Sequence, residues 1–260
     1  MKTAFLSPEA IKAALPEFLS LYEKRPFKQN DGGMGAPHLF ATWLLTKTIQ
    51  PTHIIESGVF RGQGTWMLNQ AAPNAKFTCI DPDQERIEFK LDDAKYSDVD
   101  FSQHNWDDCP KNETLCFFDD HQDSIKRMRL LRSLGFKHAI YEDNYPLCEG
   151  DCYSPKQALM RAEESHSHPF RKWVHTLLHP KKEFIPPHEE DAHFLKQNLD
   201  IYFEFPPVVK TAQTRWNTPW TDKNYPTPTP LYTEATLPSE ASAFLKEAQR
   251  YTWICYMQFR

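Results

Sequence analysis

Glycine is scarce in this chain. Only eight glycines occur among 260 residues, and six of them fall in two clusters, at 32–35 and 58–64. Glycine permits backbone bends and close approaches that other residues forbid. The two clusters therefore indicate where the backbone bends sharply or meets a ligand.

Long hydrophobic runs are missing as well. No run approaches the roughly 20 apolar residues that cross a bilayer. Ser7, Pro8 and Glu9 interrupt the beginning of the chain before a signal-peptide core could form. We therefore expect a cytoplasmic protein without a membrane span.

Two further absences limit the partners and the redox chemistry. The 30 Lys and Arg are outnumbered by 35 Asp and Glu, giving a net charge of -5 and a pI of about 6.1. No basic field exists to hold duplex nucleic acid by counterion release. The six cysteines include no C-x-x-C pair, so we expect no disulfide framework.

The composition is that of a folded domain. Hydrophobic residues make up 40% and charged residues 25% of the chain, both near the globular average. We expect one α/β core with additions, divided into a helical cap and glycine-rich lid at 1–50, a cofactor-binding core at 51–147, an acceptor-side elaboration at 148–230, and a C-terminal helix and strand at 231–260.

Apolar periodicity predicts alternating helices and strands. Helices are predicted at 8–24, 37–49, 65–72, 122–134 and 239–249. Strands are predicted at 52–60, 76–81, 95–101, 114–120, 137–142 and 251–259. Such alternation predicts a mostly parallel sheet with helices on both faces and ligands at the carboxyl ends of its strands.

The second glycine cluster follows the first predicted strand and opens a helix. It reads Glu56-Ser-Gly58-Val-Phe-Arg-Gly62-Gln-Gly64, which fits neither the dinucleotide fingerprint nor the phosphate loop. It resembles motif I of the class I S-adenosylmethionine-dependent methyltransferases. That resemblance implies a Rossmann-like, seven-stranded fold and S-adenosylmethionine as cofactor.

The resemblance also implies cofactor contacts. Glu56 and the glycines Gly58, Gly62 and Gly64 would pass the methionine part of the cofactor. Asp81 ends the second strand and would bind both ribose hydroxyls, which one carboxylate can accept. Asp100 matches the family's adenine position. Alternatively, Glu56, Asp81 and Asp100 are ordinary acids at strand ends.

Acidic residues follow two neighbouring predicted strands. Asp119, Asp120 and His121 end one, and Glu142, Asp143 and Asn144 end the next. Adjacent carboxylates repel unless a cation lies between them, and Mg²⁺ prefers oxygen ligands. We predict a divalent metal here, Mg²⁺ or Mn²⁺, although the acids could instead cap helices and form surface ion pairs.

The pattern is similar to that of metal-dependent methyltransferases. Asp120, Glu142, Asp143 and Asn144 are the implied metal ligands. Asp119 competes with Asp120, which we choose because His121 follows it as in those families. His121 and Asp120 are the candidate catalytic residues, with His121 as base because its ordinary pKa near 6.5 suits proton removal at neutral pH.

The sequence thus predicts a metal-assisted O-methyltransferase acting on a hydroxyl, preferably of a sugar in a glycan or glycosylated small molecule. One alternative is a glycosyltransferase, because Asp81-Pro-Asp83 has the D-x-D form that binds a nucleotide sugar through Mn²⁺. Another is a methyltransferase-like protein that binds without turnover.

Several weaker signals complete the expectations. The glycine-rich segment 28–35 could be a lid over the cofactor or an ordinary connection. Five aromatic residues of the elaboration could pack against an acceptor or form core: Tyr153, Trp173, Trp216, Trp220 and Tyr225. Four histidines are expected to be exposed rather than metal ligands: His175, His179, His188 and His193.

Overall fold

The computed structural model describes residues 1–147, 149–160, 189–222 and 225–260. The helices are α1 (Pro8–Tyr22), α2 (Ala36–Ile49), α3 (Gln63–Ala71), α4 (Ser124–Leu134), α5 (Pro155–Leu159), α6 (Glu189–Asn198) and α7 (Ser242–Lys246). The strands are β1 (His53–Ser57), β2 (Lys76–Ile80), β3 (Lys95–Ser97), β4 (Thr114–Phe118), β5 (His138–Tyr141), β6 (Leu199–Glu204) and β7 (Cys255–Phe259).

All seven strands form one sheet in the order β3-β2-β1-β4-β5-β7-β6. Strands β1 to β5 are parallel, whereas β7 runs antiparallel to both β5 and β6. The predicted fold class, a mostly parallel Rossmann-like sheet, is confirmed. The strand order reverses at β1, which lies between β2 and β4, and ligands bind at the carboxyl ends of strands at such a switch point.

Two apolar layers cover the sheet because successive side chains of a strand point to opposite faces. Ile54 belongs to the core cluster formed with α1 and α2, which includes Phe18 and Phe40. Ile55 belongs to the opposite cluster, formed with α4 through Met128. The sheet is therefore buried on both faces, which fixes its strand ends in space.

The first helix illustrates how local sequence sets these elements. Ser7 caps α1, since its Oγ accepts a hydrogen bond from the Ala10 N–H at 3.2 Å, and Pro8 occupies the first turn. Ile11 and Leu15 then lie on the buried face, as their helical spacing predicts.

One strand differs from the sequence prediction. The segment 148–230 was expected to hold helices and loops, yet Leu199–Glu204 forms β6 and pairs with β7 across a register irregularity. It follows α6 without an intervening glycine or proline, so the helical pattern runs directly into it. Asn198, the last residue of α6, is the turn-favouring residue at the change.

Two absences hold for the part of the chain that the structure describes. Its helices include none long and apolar enough to cross a membrane. Its five cysteines with described side chains are all unpaired. Trp173, His175, His179 and His188 lie outside the described residues, whereas His193 is exposed on α6, as expected.

Candidate active site

A cavity of about 530 Å³ opens at the carboxyl ends of β1, β2 and β4. Its volume is in the range of small-ligand pockets. Both glycine clusters line it, through residues 30–34 on one side and 57–60 with 63–64 on the other. Its acidic lining residues are Asp31, Asp81, Asp98, Asp100, Asp119 and Asp120.

The glycines of the β1–α3 loop have different roles. Gly58 has a φ of +94°, and a Cβ there would overlap the backbone carbonyl of Asp119. Gly64 lines the cavity, and a Cβ there would lie 2.8 Å from Glu56 Oε1. Gly62 instead packs on the backbone of Phe89 and is not among the lining residues that the structure describes, so it shapes the loop.

Glu56 lies behind this loop, fully buried. Its Oε2 accepts a hydrogen bond from Thr65 Oγ1 at 2.6 Å, while Oε1 has no partner among the described residues. Burial raises the pKa of Glu56 to about 8. The predicted cofactor contact would have to reach past Gly64, because Glu56 is not among the residues described as lining the cavity.

Asp81 ties the glycine loop to the end of β2. Its Oδ2 accepts hydrogen bonds from the N–H groups of Val59 and Phe60 at 2.9 and 2.8 Å. Its Oδ1 accepts one from the Asp83 N–H at 2.9 Å. Since each carboxylate oxygen has two lone pairs, Oδ1 can still accept a hydrogen bond from a ligand in the cavity.

A buried arginine that the sequence analysis missed joins two of the predicted site acids. Arg127 Nη1 and Nη2 donate to the carboxylate of Asp100 at 2.9 and 2.5 Å, and Nη2 also donates to Asp120 Oδ2 at 2.8 Å. The Arg127 guanidinium holds the pKa of Asp100 well below its usual range. The signal was present, because Arg127 stands on the apolar stripe of α4 with Met128 and Leu131.

This arginine changes the assignment of Asp100 and Asp120. Asp100 also accepts from Ser102 and Gln122, which leaves no lone pair for adenine. Asp120 Oδ2 accepts from Ser57 Oγ at 2.8 Å as well as from Arg127. Oδ2 of the predicted metal ligand Asp120 is thus committed to an internal ion pair, whereas Oδ1 accepts only a long hydrogen bond of 3.3 Å from the Gln122 N–H among the described residues.

Asp119, His121 and Asp143 converge instead. One ligand atom from each lies within 4.8 Å of the others. His121 Nδ1 is 2.9 Å from Asp143 Oδ2 and 3.1 Å from Asp151 Oδ1, and Nε2 is 3.8 Å from Asp119 Oδ1. The ring is brought there by a left-handed backbone at His121, with φ of +53°. Both Asp119 and His121 line the cavity.

The charges in this cluster are strongly perturbed. Burial raises the pKa of Asp119 well above its usual range, and the neighbouring Asp143 adds to the effect. Hydrogen bonds to Asp143 and Asp151 raise the pKa of His121 to about 11. His121 is therefore protonated at neutral pH in this arrangement and has no free lone pair, contrary to what the predicted role as base requires.

Asp143 completes the cluster from β5. Burial alone would raise the pKa of Asp143, but hydrogen bonds from His121 and Glu142 bring it down to about 2. Its Oδ2 is buried and lies 2.9 Å from His121 Nδ1, a ring nitrogen that is also 3.1 Å from Asp151 Oδ1. One ring nitrogen is therefore shared between two carboxylates.

The other two predicted ligands on this strand end are turned into the core. Glu142 Oε1 lies 3.2 Å from His38 Nδ1 and accepts from Thr252 Oγ1 at 3.0 Å. Burial raises the pKa of Glu142 well above its usual range and lowers that of His38 to about 3. Neither residue belongs to the ligand clusters found among the described residues.

Asn144 is also structural. Its Oδ1 accepts from the backbone N–H of Lys156 at 2.8 Å, and its Nδ2 donates to Tyr202 Oη and to the carbonyl of Trp253. The side chain is fully buried. With its amide committed, Asn144 holds the β5 end against the rest of the core and does not offer its oxygen to a cation.

The first glycine segment lines the cavity, and its role as a lid stays a prediction. Asn30 and Met34 line the cavity, and Asn30 Nδ2 and Gln63 Nε2 both donate to the Met34 carbonyl, at 3.3 and 3.0 Å. The segment is fastened to the C-terminal region, where Glu247 Oε2 accepts from the Ala36 N–H at 2.8 Å. It is therefore part of the site's wall.

Most aromatic candidates of the elaboration are core. Trp220 and Tyr225 are buried in a third cluster that includes Trp253. Tyr153 is buried against the α4 face of the sheet. Trp216 is only half-buried, stacked on Trp253 with ring centroids 6.4 Å apart, and it is the most exposed of the described aromatic candidates.

No protein-family model and no curated protein matches this chain. Similar solved structures do exist. One is a methyltransferase from Podospora anserina bound to S-adenosylhomocysteine, which is 12% identical to this chain. The matched region comprises 79% of this chain and 94% of that one, with a TM-score of 0.44.

Two further solved structures are O-methyltransferases. One, from Streptomyces achromogenes, acts in tomaymycin synthesis and was solved with S-adenosylmethionine; it is 16% identical, covering 54% and 75% of the two chains at a TM-score of 0.38. One from Bacillus cereus, with S-adenosylhomocysteine, is 13% identical, covering 60% and 71% at 0.36. All three are below 25% identity, and the fold of this chain is established by its own sheet order.

Proposed function

We propose that this protein is an S-adenosylmethionine-dependent O-methyltransferase. The observation that carries the proposal is the charge and shape of the cavity at the switch point. Among its described lining residues are six aspartates but one arginine, Arg86, and the histidine His121. Such a lining favours a cationic ligand, and S-adenosylmethionine presents its methyl group on a positively charged sulfonium.

The residues present fit this cofactor. Gly58 and Gly64 keep side chains away from the loop surface, so a ligand can approach the backbone. Asp81 has acceptor capacity left for a ribose hydroxyl. Asn30 Oδ1 and Gln63 Oε1 are buried acceptors without partners among the described residues, in the wall of the same cavity.

We propose a divalent cation, Mg²⁺ or Mn²⁺, held by Asp119, His121 and Asp143, whose binding displaces a proton from the His121 ring. Asp119 takes the place that sequence reasoning gave to Asp120, because Asp120 Oδ2 is paired with Arg127. The buried Oδ2 of Asp143 supports the fit, since it shares its His121 contact with Asp151 and a cation would satisfy it. Such an ion would supply Lewis acidity that lowers the pKa of an acceptor hydroxyl.

For the acceptor we propose a sugar hydroxyl in a glycan or a glycosylated small molecule. A vicinal diol can chelate a cation, and the half-buried Trp216 offers a face of the kind that packs on sugar rings. The cytoplasmic location and the lack of a duplex nucleic-acid partner stay predictions from the sequence.

The glycosyltransferase alternative has less support. In the D-x-D segment both Asp81 oxygens accept from backbone N–H groups, and the Asp83 carboxylate faces Arg86 at 3.7 Å. Asp81 is held against the glycine loop, and Asp83 is not among the described residues that line the cavity, so the two carboxylates do not face one ligand there. The acidic lining of the cavity also opposes a phosphate ligand.

The proposal is tested by product formation. Purified protein is incubated with S-adenosylmethionine and a panel of sugar and catechol acceptors, and S-adenosylhomocysteine is quantified by mass spectrometry with Mg²⁺ or with EDTA. We expect acceptor-dependent product that EDTA and Asp119→Asn abolish, while the exposed control Asp107→Asn retains it. Equal product in EDTA would remove the metal from the proposal, and cofactor binding without any product would favour the non-catalytic alternative.

A further inference from the structure

Two amide side chains meet at one backbone carbonyl in the cavity wall. Asn30 comes from the first glycine segment and Gln63 from the beginning of α3. They are only 5% and 3% exposed. Asn30 Nδ2 donates to the Met34 carbonyl at 3.3 Å and Gln63 Nε2 donates to the same oxygen at 3.0 Å.

These hydrogen bonds fix which way both amides point. A carbonyl only accepts, so the NH₂ end of each amide must face Met34 and the oxygen must face away from it. Asn30 Oδ1 and Gln63 Oε1 are left buried with no hydrogen-bond donor among the described residues. Leaving a buried acceptor unpaired is destabilising, so a missing donor is expected at each.

The missing donors are expected from a ligand, because both residues line the cavity. A hydroxyl donates one hydrogen bond, whereas an ammonium donates three in a tetrahedral arrangement. An ammonium therefore has enough donors for both amide oxygens, whereas a single hydroxyl has not. The acidic lining residues Asp31 and Asp81 add a favourable potential for a positive charge.

We propose that Asn30 and Gln63 form a two-oxygen clamp for the ammonium group of the cofactor's methionine part. The inference rests on the proposed function, since it presumes S-adenosylmethionine as ligand. The clamp assigns a purpose to the first glycine segment: it brings Asn30 to Gln63, which is 33 positions away along the chain. Affinity for the cofactor then depends on that segment holding Asn30 beside Gln63.

The test compares S-adenosylhomocysteine with its analogue lacking the amino group, by isothermal titration. We expect the intact protein to bind the deaminated analogue about 10- to 100-fold more weakly, the value of a charge-assisted hydrogen bond or two. In Gln63→Met and in Asn30→Leu that preference should shrink toward one, while affinity for the deaminated analogue changes little. The matched control is Gln70→Met, an exposed position of the same helix.

Distinct results separate the possible failures. A folded wild-type protein that binds neither ligand would overturn the proposed function and the clamp with it. If the wild type binds both ligands equally, or if the variants keep the full preference, the clamp is wrong while the methyltransferase proposal stands. The variants could instead lose the preference for S-adenosylhomocysteine over its 2′,3′-dideoxyribose analogue while keeping that over the deaminated one. This result would show that ribose hydroxyls donate to the two amide oxygens and would also overturn the clamp.

Discussion

Replacing Glu56 by glutamine should stabilise the protein increasingly as the pH rises. The carboxyl group is fully buried, and its neighbours include no cation that could stabilise the ionised form. Burial raises its pKa from about 4.5 to about 8 in the folded state. Glutamine has nearly the same shape, can accept the hydrogen bond from Thr65, and never ionises.

The sign follows from proton linkage. Below about pH 4.5 Glu56 is protonated in both the folded and the unfolded chain, so its burial as the neutral acid costs no free energy of ionisation. Between about pH 4.5 and 8 the unfolded chain releases this proton while the folded chain keeps it, so stability falls as pH rises. The total loss is at most about 5 kcal/mol, at about 1.36 kcal/mol for each pH unit of difference.

Urea denaturation of the wild type and Glu56→Gln at pH 5, 6.5 and 8 measures this directly. The free energy of unfolding of the variant, minus that of the wild type, should grow by several kcal/mol from pH 5 to pH 8. The exposed Glu234→Gln serves as control and should show no such growth. A difference that stays constant with pH would refute the raised pKa and the buried position behind Gly64.

Three further perturbations probe the site. Gly58→Ala should abolish binding of S-adenosylhomocysteine in a titration, because its Cβ would overlap the Asp119 carbonyl. The control is Gly135→Ala, which is also at positive φ but has no described atom within 4 Å of its Cβ; it should lower the free energy of unfolding by about 1 kcal/mol and keep binding. Arg127→Met should cost about 3–5 kcal/mol in urea denaturation, since it strands two carboxylates, and a loss below 1 kcal/mol would contradict the network. Asp119→Asn and Asp143→Asn should each weaken Mn²⁺ binding measured by electron paramagnetic resonance, and unchanged binding in both would exclude the proposed cluster.

The sequence predicted the fold where local pattern and burial agree. Strands β1 and β4 are short apolar runs that end in acidic or glycine residues, and both lie at the centre of the sheet. The site lies at the carboxyl-terminal edge of the sheet, as predicted, because these strands end in register: Ser57 is paired with Ile80 on one side and with Phe118 on the other. The secondary structure of such segments is determined by residues that are close together in the sequence, so it can be predicted from the sequence alone.

The choice between adjacent side chains could not be predicted in this way. Asp119 and Asp120 are consecutive, and their directions after β4 depend on tertiary partners: Asp120 turns to Arg127, and the left-handed backbone of His121 then aims its ring at Asp143. Arg127 stands on the buried stripe of α4, which marks it as unusual, but its two acidic partners are set only by the fold. A family pattern therefore identifies the segment that holds the site residues, whereas the three-dimensional packing determines which side chain of that segment points into the site.

The central claim is most directly tested by titrating the purified protein with S-adenosylmethionine and S-adenosylhomocysteine. We expect saturable binding of both ligands, lost in Asp81→Ala and kept in Asp83→Ala. The described residues that line the cavity include Asp81 but not Asp83. A folded wild-type protein that binds neither ligand, or that binds only a nucleotide sugar in the presence of Mn²⁺, would contradict the account.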